Sequence, residues 1–437
     1  MHNMTAVQLL DMLRSGSVSC EELTEMYISR IEMLNGRLNA VRLIDPTAKE
    51  QARRLDASGD RQLPLFGLPI LVKDNIDVAG LPTTAGSAAL EGNIAAKDAP
   101  VIANLRRRGA VILGKTNMTE FANYTTQGMP NGFSSLGGQV VNAYSPAMDP
   151  SGSSTGSAVA VSAGMCAAAI GTDTLFSVVG CATCNGVAGF KPSHGALSVE
   201  GIIPICHTLD SAGPLARSFE DALLIYMGMR DETPEPVSQA EIKGLRIAVN
   251  MTGWERVSGE QQGRYLRLFD ALRAAGAEVT EVFHTAPACQ RAIMRCEFSH
   301  DMDEYLAASG AEIKTLRGIA GFFEDNPRHM PYGITLIRDA LENASGQMDD
   351  AEYIEAMGIR EDLRAEMAEA MKDFDACIMT GSSCIFHVCG MPSAALPLCM
   401  AEDGTPRGII LYGTDEKRLI SAALTIEKHC PGVLPPA

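Results

Sequence analysis

The chain has 437 residues, of which 46% are hydrophobic and 20% charged. This balance excludes an intrinsically disordered chain and favours a globular protein with a large core. Lys and Arg number 36 against 53 Asp and Glu, which gives a formal net charge of -17. Because this charge repels phosphate backbones and anionic lipid surfaces, we expect neither a nucleic-acid partner nor a membrane partner.

The first residues, MHNMTAVQLLDMLRSG, lack the basic start, apolar run and cleavage site of a secretory signal. The longest weakly polar stretch, 158–170, is too short to span a membrane. We therefore predict a cytoplasmic protein whose 12 cysteines are reduced and buried. Cys181 and Cys184 form a CxxC motif, which is typical of zinc or redox sites. No second pair at ligand spacing accompanies it in the sequence, so we favour a packing role.

The first part of the chain alternates helices with strands. Apolar residues at helical spacing predict helices in AVQLLDMLRSG and SCEELTEMYISRIEMLN, and Ser19 and Glu22 form a capping box for the second. LFGLPILVKDNIDV predicts a short buried strand that leads into a polar turn. APVIANLRRRGAVILGKTN predicts a helix, a turn at Gly109 and a second strand. This alternation indicates an α/β protein.

The stretch 137–164 changes abruptly to Gly, Ser and Pro and then to a helix of small residues, which is unusual for a linker. Beyond 231–244, LRIAVN, QQGRYLRLFDALRAAG and AEVTEV continue the alternation as strand, helix and strand. Residues 285–372 are predicted to be mostly helical. DACIMTG, SAALPLCM and RGIILYG return to strands, and DEKRLISAALTIEKH is a final helix. We predict a central mixed, largely parallel sheet wrapped by helices.

The segments LVKDN, SGSSTGSA and GTDTLFS each place polar side chains among apolar residues or glycines. A serine hydroxyl becomes a nucleophile when a base takes its proton, and a lysine that is held neutral can be that base. Leu71 and Val72 indicate that Lys73 is buried, whereas Asp74 opposes the loss of its charge unless the carboxylate points away. Together the three segments predict a nucleophile site.

In this order, GLPILVKDN, PSGSSTGSAVAVSAG, GTDTLFS and GVAGFKPSHG resemble the amidase signature family of serine amidohydrolases. The resemblance covers residues 5–225 and resumes at residue 377, and GGQVVNAYSP with GIIPICHTLDSAGPLARS looks most like the peptide-amidase branch. It implies a single amidase domain over 1–437. Its parts are N-terminal helices (1–65), a signature core (66–230), a variable, mostly helical substrate-shaping region (231–376), and C-terminal strands with a helix (377–437).

The resemblance also implies a catalytic triad. By similarity, Ser177 is the nucleophile that carries the acyl group, Ser153 is a bridging serine on a cis peptide bond, and Lys73 is the final base. The two serines are 24 residues apart, the separation that the paired serines of the family have. Ser154 and Ser157 are expected either to hydrogen-bond Lys73 and the loop or to cap a helix.

By the same resemblance, the backbone N–H groups of Thr174, Leu175, Phe176 and Ser177 form the oxyanion hole. Most of the family has small residues, usually glycines, where this chain has Leu175 and Phe176. We expect the Phe176 ring to project beside the reacting carbonyl and to narrow the substrate pocket. Val179 is a second expected pocket residue, at a position where the family often has an arginine. The absence of that arginine argues against a substrate whose carboxylate would need it.

Other polar residues near the motifs are expected to support the site. Asp173 is predicted to brace the loop, and Asn75 and Asn117 to lie in loops or behind the reacting groups. Asp210 is predicted to order a turn. His207 lies near the motifs in the sequence, and a lysine base makes it unnecessary for catalysis.

The residues and the resemblance together predict an amidohydrolase that cleaves a carboxylic amide C–N bond through an ester on Ser177, without a metal or a cofactor. Its expected partner is a small-molecule or peptide amide, and a homodimer is one assembly open to it. One alternative is the glutaminase-type subunit of a tRNA-dependent amidotransferase, which needs companion subunits. A second alternative is a non-catalytic scaffold in which Leu175 and Phe176 fill the site.

Overall fold

The computed structural model describes residues 1–232, 235 and 237–436. Its strands are β1 (Val41–Ile44), β2 (Pro69–Lys73), β3 (Val111–Thr116), β4 (Phe133–Ser134), β5 (Gly138–Gln139), β6 (Ala168–Asp173), β7 (Ala188–Lys191), β8 (Ser211–Ala216), β9 (Arg246–Asn250), β10 (Glu278–Val282), β11 (Ala376–Met379), β12 (Ser393–Met400) and β13 (Pro406–Tyr412). Its α-helices are α1 (Ala6–Ser15), α2 (Cys20–Leu38), α3 (Ala48–Ser58), α4 (Pro100–Arg107), α5 (Thr155–Ser162), α6 (Val179–Asn185), α7 (Phe219–Met229), α8 (Gly259–Ala275), α9 (Gln290–Ala308), α10 (Leu316–Asp325), α11 (Thr335–Glu342), α12 (Ala351–Met371), α13 (Ile385–Val388) and α14 (Glu416–Glu427).

Eleven of these strands form one mixed sheet in the order β1-β3-β2-β6-β8-β7-β12-β13-β11-β9-β10. Parallel pairs lie in two groups, β3–β2–β6 and β11–β9–β10. The strands between these groups pair antiparallel, and β12 and β13 form a hairpin that needs no crossover helix. The predicted α/β fold, a single domain around a mixed sheet, is confirmed. The centre of the sheet is less parallel than the alternation of elements predicts.

The first two helices begin as the sequence predicts. The side chain of Ser19 accepts the N–H of Glu22, and the Glu22 carboxylate accepts the N–H of Ser19, so the predicted capping box is confirmed. Thr5 and Gln8 form a second capping box at the start of α1. The first 65 residues also contain β1, which pairs antiparallel with β3 at one edge of the sheet. This strand was missed from the sequence, although the Asp45-Pro46 pair that follows VRLI is a turn signal.

The sheet brings the lysine segment beside the nucleophile segment. Strands β2 and β6 are parallel neighbours, so their carboxyl ends, at Lys73 and Asp173, lie side by side at the same end of the strands. Helix α5 begins two residues after Ser153, and all of its residues are buried. A Cβ added at Gly156 would lie 2.3 Å from the carbonyl oxygen of Asn117, so only glycine allows this close approach.

The opposite edge of the sheet is β10. Among the described strands it pairs only with β9, and Glu278, Thr280 and Glu281 are exposed on it. The predicted boundary at residue 231 adjoins residues 233, 234 and 236, which lie outside the described residues. Among the described helices, none combines the length and the apolar character that crossing a bilayer requires.

Candidate active site

Lys73 ends strand β2 and its side chain is completely buried. Its Nζ donates to the Thr172 hydroxyl at 2.7 Å and to the Thr172 carbonyl at 3.3 Å, and it lies 2.8 Å from Ser153 Oγ. Burial lowers the pKa of Lys73 from 10.5 to about 7, because an ammonium without water around it is disfavoured. A substantial fraction of this lysine is therefore neutral near pH 7.

The carboxylate of Asp74 is occupied elsewhere. It lies 3.2 Å from the Arg42 guanidinium and 3.7 Å from the ammonium of Lys115, and it accepts the Thr84 hydroxyl. In the described part of the chain, Lys73 forms no ion pair with any carboxylate. The condition that the sequence sets for a neutral Lys73, a carboxylate that points away, is therefore met.

Ser153 and Ser177 meet at the start of α5. The peptide bond between Gly152 and Ser153 is cis. The N–H of Ser153 donates to Ser177 Oγ at 3.1 Å, and the N–H of Ser154 donates to the Ser177 carbonyl at 3.3 Å. Ser177 is thus held against Ser153, and Ser153 against Lys73, so the three predicted triad residues lie together.

Ser154 and Ser157 are close to the lysine but do not hydrogen-bond it. Ser154 Oγ donates to the Thr172 carbonyl at 3.0 Å and accepts the Thr172 N–H at 3.2 Å. Ser157 Oγ donates to the Ile170 carbonyl at 3.0 Å. The prediction that these serines hydrogen-bond Lys73 is therefore wrong, because both hydroxyls bind the β6 backbone and fix α5 to that strand.

Thr172 connects the lysine to a neighbouring amide. The Asn75 side chain donates to the Thr172 hydroxyl at 3.1 Å and to the Ile203 carbonyl at 3.3 Å, which places Asn75 behind the lysine. Asn117 instead donates to the Asn39 carbonyl at 2.7 Å and braces the chain beside β1. Thr172 was missed from the sequence, although its place inside GTDT was a signal for it.

Asp210 is tied to the turn that precedes Ser177. Its carboxylate accepts the Thr174 hydroxyl at 2.5 Å and the N–H groups of Ile205 and Cys206 at 2.8 and 3.1 Å. Burial raises the pKa of Asp210 to about 7. Asp210 therefore orders its own turn, as predicted, and also holds the nucleophile turn.

The backbone N–H groups of this turn differ in their partners. The N–H of Phe176 donates to Nε2 of His387 at 3.0 Å, so Phe176 is not available to an oxyanion and its predicted place in the hole is wrong. In the described residues, the N–H groups of Thr174, Leu175 and Ser177 have no protein acceptor. These three remain as the candidate donors.

Asp173 braces the same turn from behind. One carboxylate oxygen accepts the N–H groups of Val178 and Val179 at 2.6 and 3.2 Å, and the other lies 3.3 Å from Nδ1 of His387. Asp173 therefore hydrogen-bonds the backbone that follows Ser177. His387 was missed because it lies 211 residues from Phe176 in the sequence and no motif surrounds it.

His207, by contrast, lies in a separate cluster. Its Nδ1 is 2.9 Å from Asp301 and 3.3 Å from Glu297, and the hydrogen bond to Asp301 raises the pKa of His207. The side-chain atoms of these three residues that could bind a metal ion lie within 4.8 Å of one another. Glu297 also accepts the Thr208 N–H at 3.0 Å and the Tyr353 hydroxyl at 2.8 Å, so protein donors already satisfy it.

The CxxC pair fits the predicted packing role. Cys181 is completely buried and Cys184 partly so, and both are free thiols. Burial raises the pKa of Cys181 to about 12. Metal binding and redox exchange use the thiolate, which this environment disfavours.

A cavity of about 710 Å³ opens onto Ser177. Gly152, Thr174 and Leu175 line it on the nucleophile side. On the far side it is lined by residues from the predicted substrate-shaping region, among them Arg291, Met294, Arg295, Leu336, Asp339 and Glu352. This wall gives the cavity both charged and apolar surface.

Phe176 and Val179 do not line this cavity, so their predicted place in the pocket is wrong. The Phe176 ring packs edge-on against His387 and Phe386, with centroid distances of 4.5 and 5.5 Å. Val179 is completely buried at the start of α6. The residue of the Leu-Phe pair that reaches the cavity is Leu175.

Comparison with known proteins gives matches over almost the whole chain. A family model described as Amidase matches residues 22–385. A probable amidase of Arabidopsis thaliana is 29% identical over 458 residues, which cover 94% of this chain and 87% of that protein. A glutamyl-tRNA(Gln) amidotransferase subunit from Nitratidesulfovibrio vulgaris (strain DP4) is 30% identical over 507 residues, which cover 100% of this chain and 99% of that protein. The X-ray structure of native peptide amidase from Stenotrophomonas maltophilia superimposes with a TM-score of 0.92 at 31% identity, covering 100% of this chain and 98% of that one.

Proposed function

The chain belongs to the amidase family, and from this premise we propose that it hydrolyses the C–N bond of a carboxylic amide, with Ser177 as nucleophile, Ser153 as proton relay and Lys73 as base. One observation carries the proposal. Lys73 is buried without a carboxylate partner among the described residues, and its Nζ lies 2.8 Å from the Ser153 hydroxyl. The N–H of the same Ser153 reaches Ser177 Oγ at 3.1 Å.

In the proposed reaction, Ser177 Oγ attacks the amide carbonyl carbon and gives its proton to Ser153 Oγ. The Ser153 hydroxyl proton passes to neutral Lys73. The tetrahedral intermediate then collapses, the C–N bond breaks, and the proton returns through Ser153 to the leaving nitrogen. Water attacks the resulting ester on Ser177 with the same base, and the carboxylic acid leaves.

The negative charge that develops on the carbonyl oxygen needs fixed donors. We assign that role to the N–H groups of Thr174, Leu175 and Ser177, which lack protein acceptors in the described structure. Backbone donors act regardless of the side chain, and a single one is typically worth about 3 to 4 kcal/mol in the transition state. Leu175 is therefore compatible with an active site.

A small-molecule or peptide amide is the substrate class that we favour. The cavity beside Ser177 is about 710 Å³, which is within the range for drug-sized ligands. The structural similarity to a peptide amidase at a TM-score of 0.92 supports the same class. The Phe176 side chain leaves the cavity open, which speaks against a scaffold with a filled site.

A second candidate function follows from the 30% identity to an amidotransferase subunit over the whole chain. In that role the ammonia released from an amide would pass to a partner protein. The isolated chain would then hydrolyse amides poorly, and companion subunits would copurify with it.

The deciding experiment is a panel of primary, peptide C-terminal, anilide and N-alkyl amides, given to the purified chain and assayed separately for ammonia and for amine. Turnover of any of them by the parent but not by Ser177→Ala supports the amidohydrolase. Turnover that appears only with a copurified partner supports the amidotransferase role. Equal turnover in the parent and in Ser177→Ala would contradict both.

A further inference from the structure

We propose that His387 is a positioning residue for the turn before Ser177: it fixes Phe176 in a left-handed conformation and keeps the Phe176 N–H out of the oxyanion hole. This inference rests on the proposed function. His387 lies in α13, far in sequence from every predicted motif, and its side chain is fully buried against the nucleophile turn.

The first observation is the backbone of Phe176. Its φ is +65°, in the left-handed region that is disfavoured for every residue with a Cβ. The N–H of Phe176 donates to Nε2 of His387 at 3.0 Å, and the two rings pack at 4.5 Å. A hydrogen bond and a ring contact therefore both stabilise the conformation that the backbone alone disfavours.

The second observation is the far side of the imidazole. Because Nε2 accepts a hydrogen bond, a neutral ring carries its proton on Nδ1, and Nδ1 lies 3.3 Å from an oxygen of Asp173. Burial lowers the pKa of His387 to about 4, which favours the neutral ring. The Phe176 N–H therefore sets the tautomer, and among the described residues Nδ1 faces the Asp173 carboxylate without a hydrogen bond to it.

The third observation connects this chain of contacts to the nucleophile. The other oxygen of Asp173 accepts the N–H groups of Val178 and Val179, the two residues after Ser177. His387 thus acts on the residue before Ser177, and Asp173 on the residues after it. The backbone on both sides of Ser177 is held by one buried pair, which fixes the direction of the Leu175 and Ser177 N–H groups.

The test compares two substitutions at one position. His387→Leu removes the acceptor, and His387→Gln offers an amide oxygen near the position of Nε2. We expect His387→Leu to lower kcat roughly 100-fold, since a displaced reacting group costs about that much. KM should change little, because His387 does not line the cavity. His387→Gln should recover a large part of kcat.

The matched control is Phe386→Leu, which removes a second ring beside Phe176, 5.5 Å away, and leaves the hydrogen bond in place. Its kcat should fall much less than that of His387→Leu. Phe176→Gly provides a second check, because glycine adopts positive φ without a penalty. When it is combined with Phe176→Gly, His387→Leu should lower kcat by a clearly smaller factor than it does in the parent. Equal factors with and without Phe176→Gly would overturn the proposal.

A readout without turnover separates this inference from the proposed function. Hydrogen exchange of the peptide 171–180 should be slow in the parent and in His387→Gln, and faster in His387→Leu at unchanged exchange elsewhere. If the parent hydrolyses no amide, the proposed function fails and the exchange data still decide the positioning role. Unchanged exchange and unchanged kcat in His387→Leu would overturn it.

Discussion

The carboxylate of Asp74 pairs with Arg42 and Lys115 and not with Lys73, which precedes it directly in the chain. Lys73 therefore has no anionic partner among the described residues. The distances from the Asp74 carboxylate to Arg42 and Lys115 are 3.2 and 3.7 Å. Burial therefore acts on Lys73 without an opposing ion pair, and its pKa falls to about 7. Two predictions depend on this relationship.

Amide hydrolysis should rise with pH through about 7, because the base must be neutral and Lys73 loses its proton there. Lys73→Met should lose most of the amide hydrolysis activity, and its remaining activity should no longer increase with pH. The measurement is kcat/KM between pH 5.5 and 9. Lys191→Met is the matched control, since Lys191 is also completely buried and its Nζ donates to the Pro192 carbonyl outside the triad. A rise that persists in Lys73→Met would contradict the assignment of the base.

Lys73 should also make stability depend on pH. The unfolded chain holds the lysine proton up to pH 10.5, whereas the folded chain releases it at about 7. Between these values the unfolded state binds more protons, so the free energy of unfolding rises with pH. In the parent, folding at these pH values releases the lysine proton, which lowers the free energy of unfolding; Lys73→Met has no such proton to lose. The free energy of unfolding of Lys73→Met should therefore exceed that of the parent by an amount that shrinks by about 1.4 kcal/mol per pH unit over that window. Denaturant unfolding at pH 7, 8.5 and 10 checks this, and a constant difference would argue against a buried lysine of low pKa.

Ser177→Ala should lower kcat by at least about 10⁴-fold, since removal of a nucleophile leaves only the contribution of binding and of the oxyanion hole. A fluorophosphonate probe should label the parent at Ser177, as peptide mass spectrometry can locate. Ser162→Ala is the control, because Ser162 is a buried serine of α5 whose hydroxyl has no hydrogen-bond partner in the described residues. Labelling that survives in Ser177→Ala would place the nucleophile at another residue.

Leu175→Ala should change substrate selection, because Leu175 lines the cavity beside Ser177. We expect the ratio of kcat/KM for a bulky amide to that for a small amide to rise about 10-fold, the scale set by removing apolar groups from a pocket. Val179→Ala is the comparison: Val179 is buried away from the cavity, so stability should fall while the ratio stays the same. A ratio that moves in Val179→Ala and not in Leu175→Ala would reverse this assignment.

The sequence predicted the parts of the site that lie within continuous motifs. Lys73 ends one buried strand and Ser177 follows another, and the parallel pairing of β2 and β6 brings the two strand ends together. His387 was beyond reach, because its contact with Phe176 depends on a pairing across 211 residues. The orientation of the Phe176 ring was predicted wrongly for the same reason. A sequence pattern shows that a side chain is large, but the direction it takes depends on which distant residues pack around it.

The exposed edge of the sheet has a consequence for self-association. An unpaired edge offers its N–H and carbonyl groups to a strand of another molecule, which is how many sheets begin to aggregate. On β10, Glu278 and Glu281 are exposed, and an added copy of the same strand would bring further carboxylates to within about 5 Å, the spacing of adjacent strands. Repulsion between these carboxylates would oppose end-to-end growth into fibres at this edge.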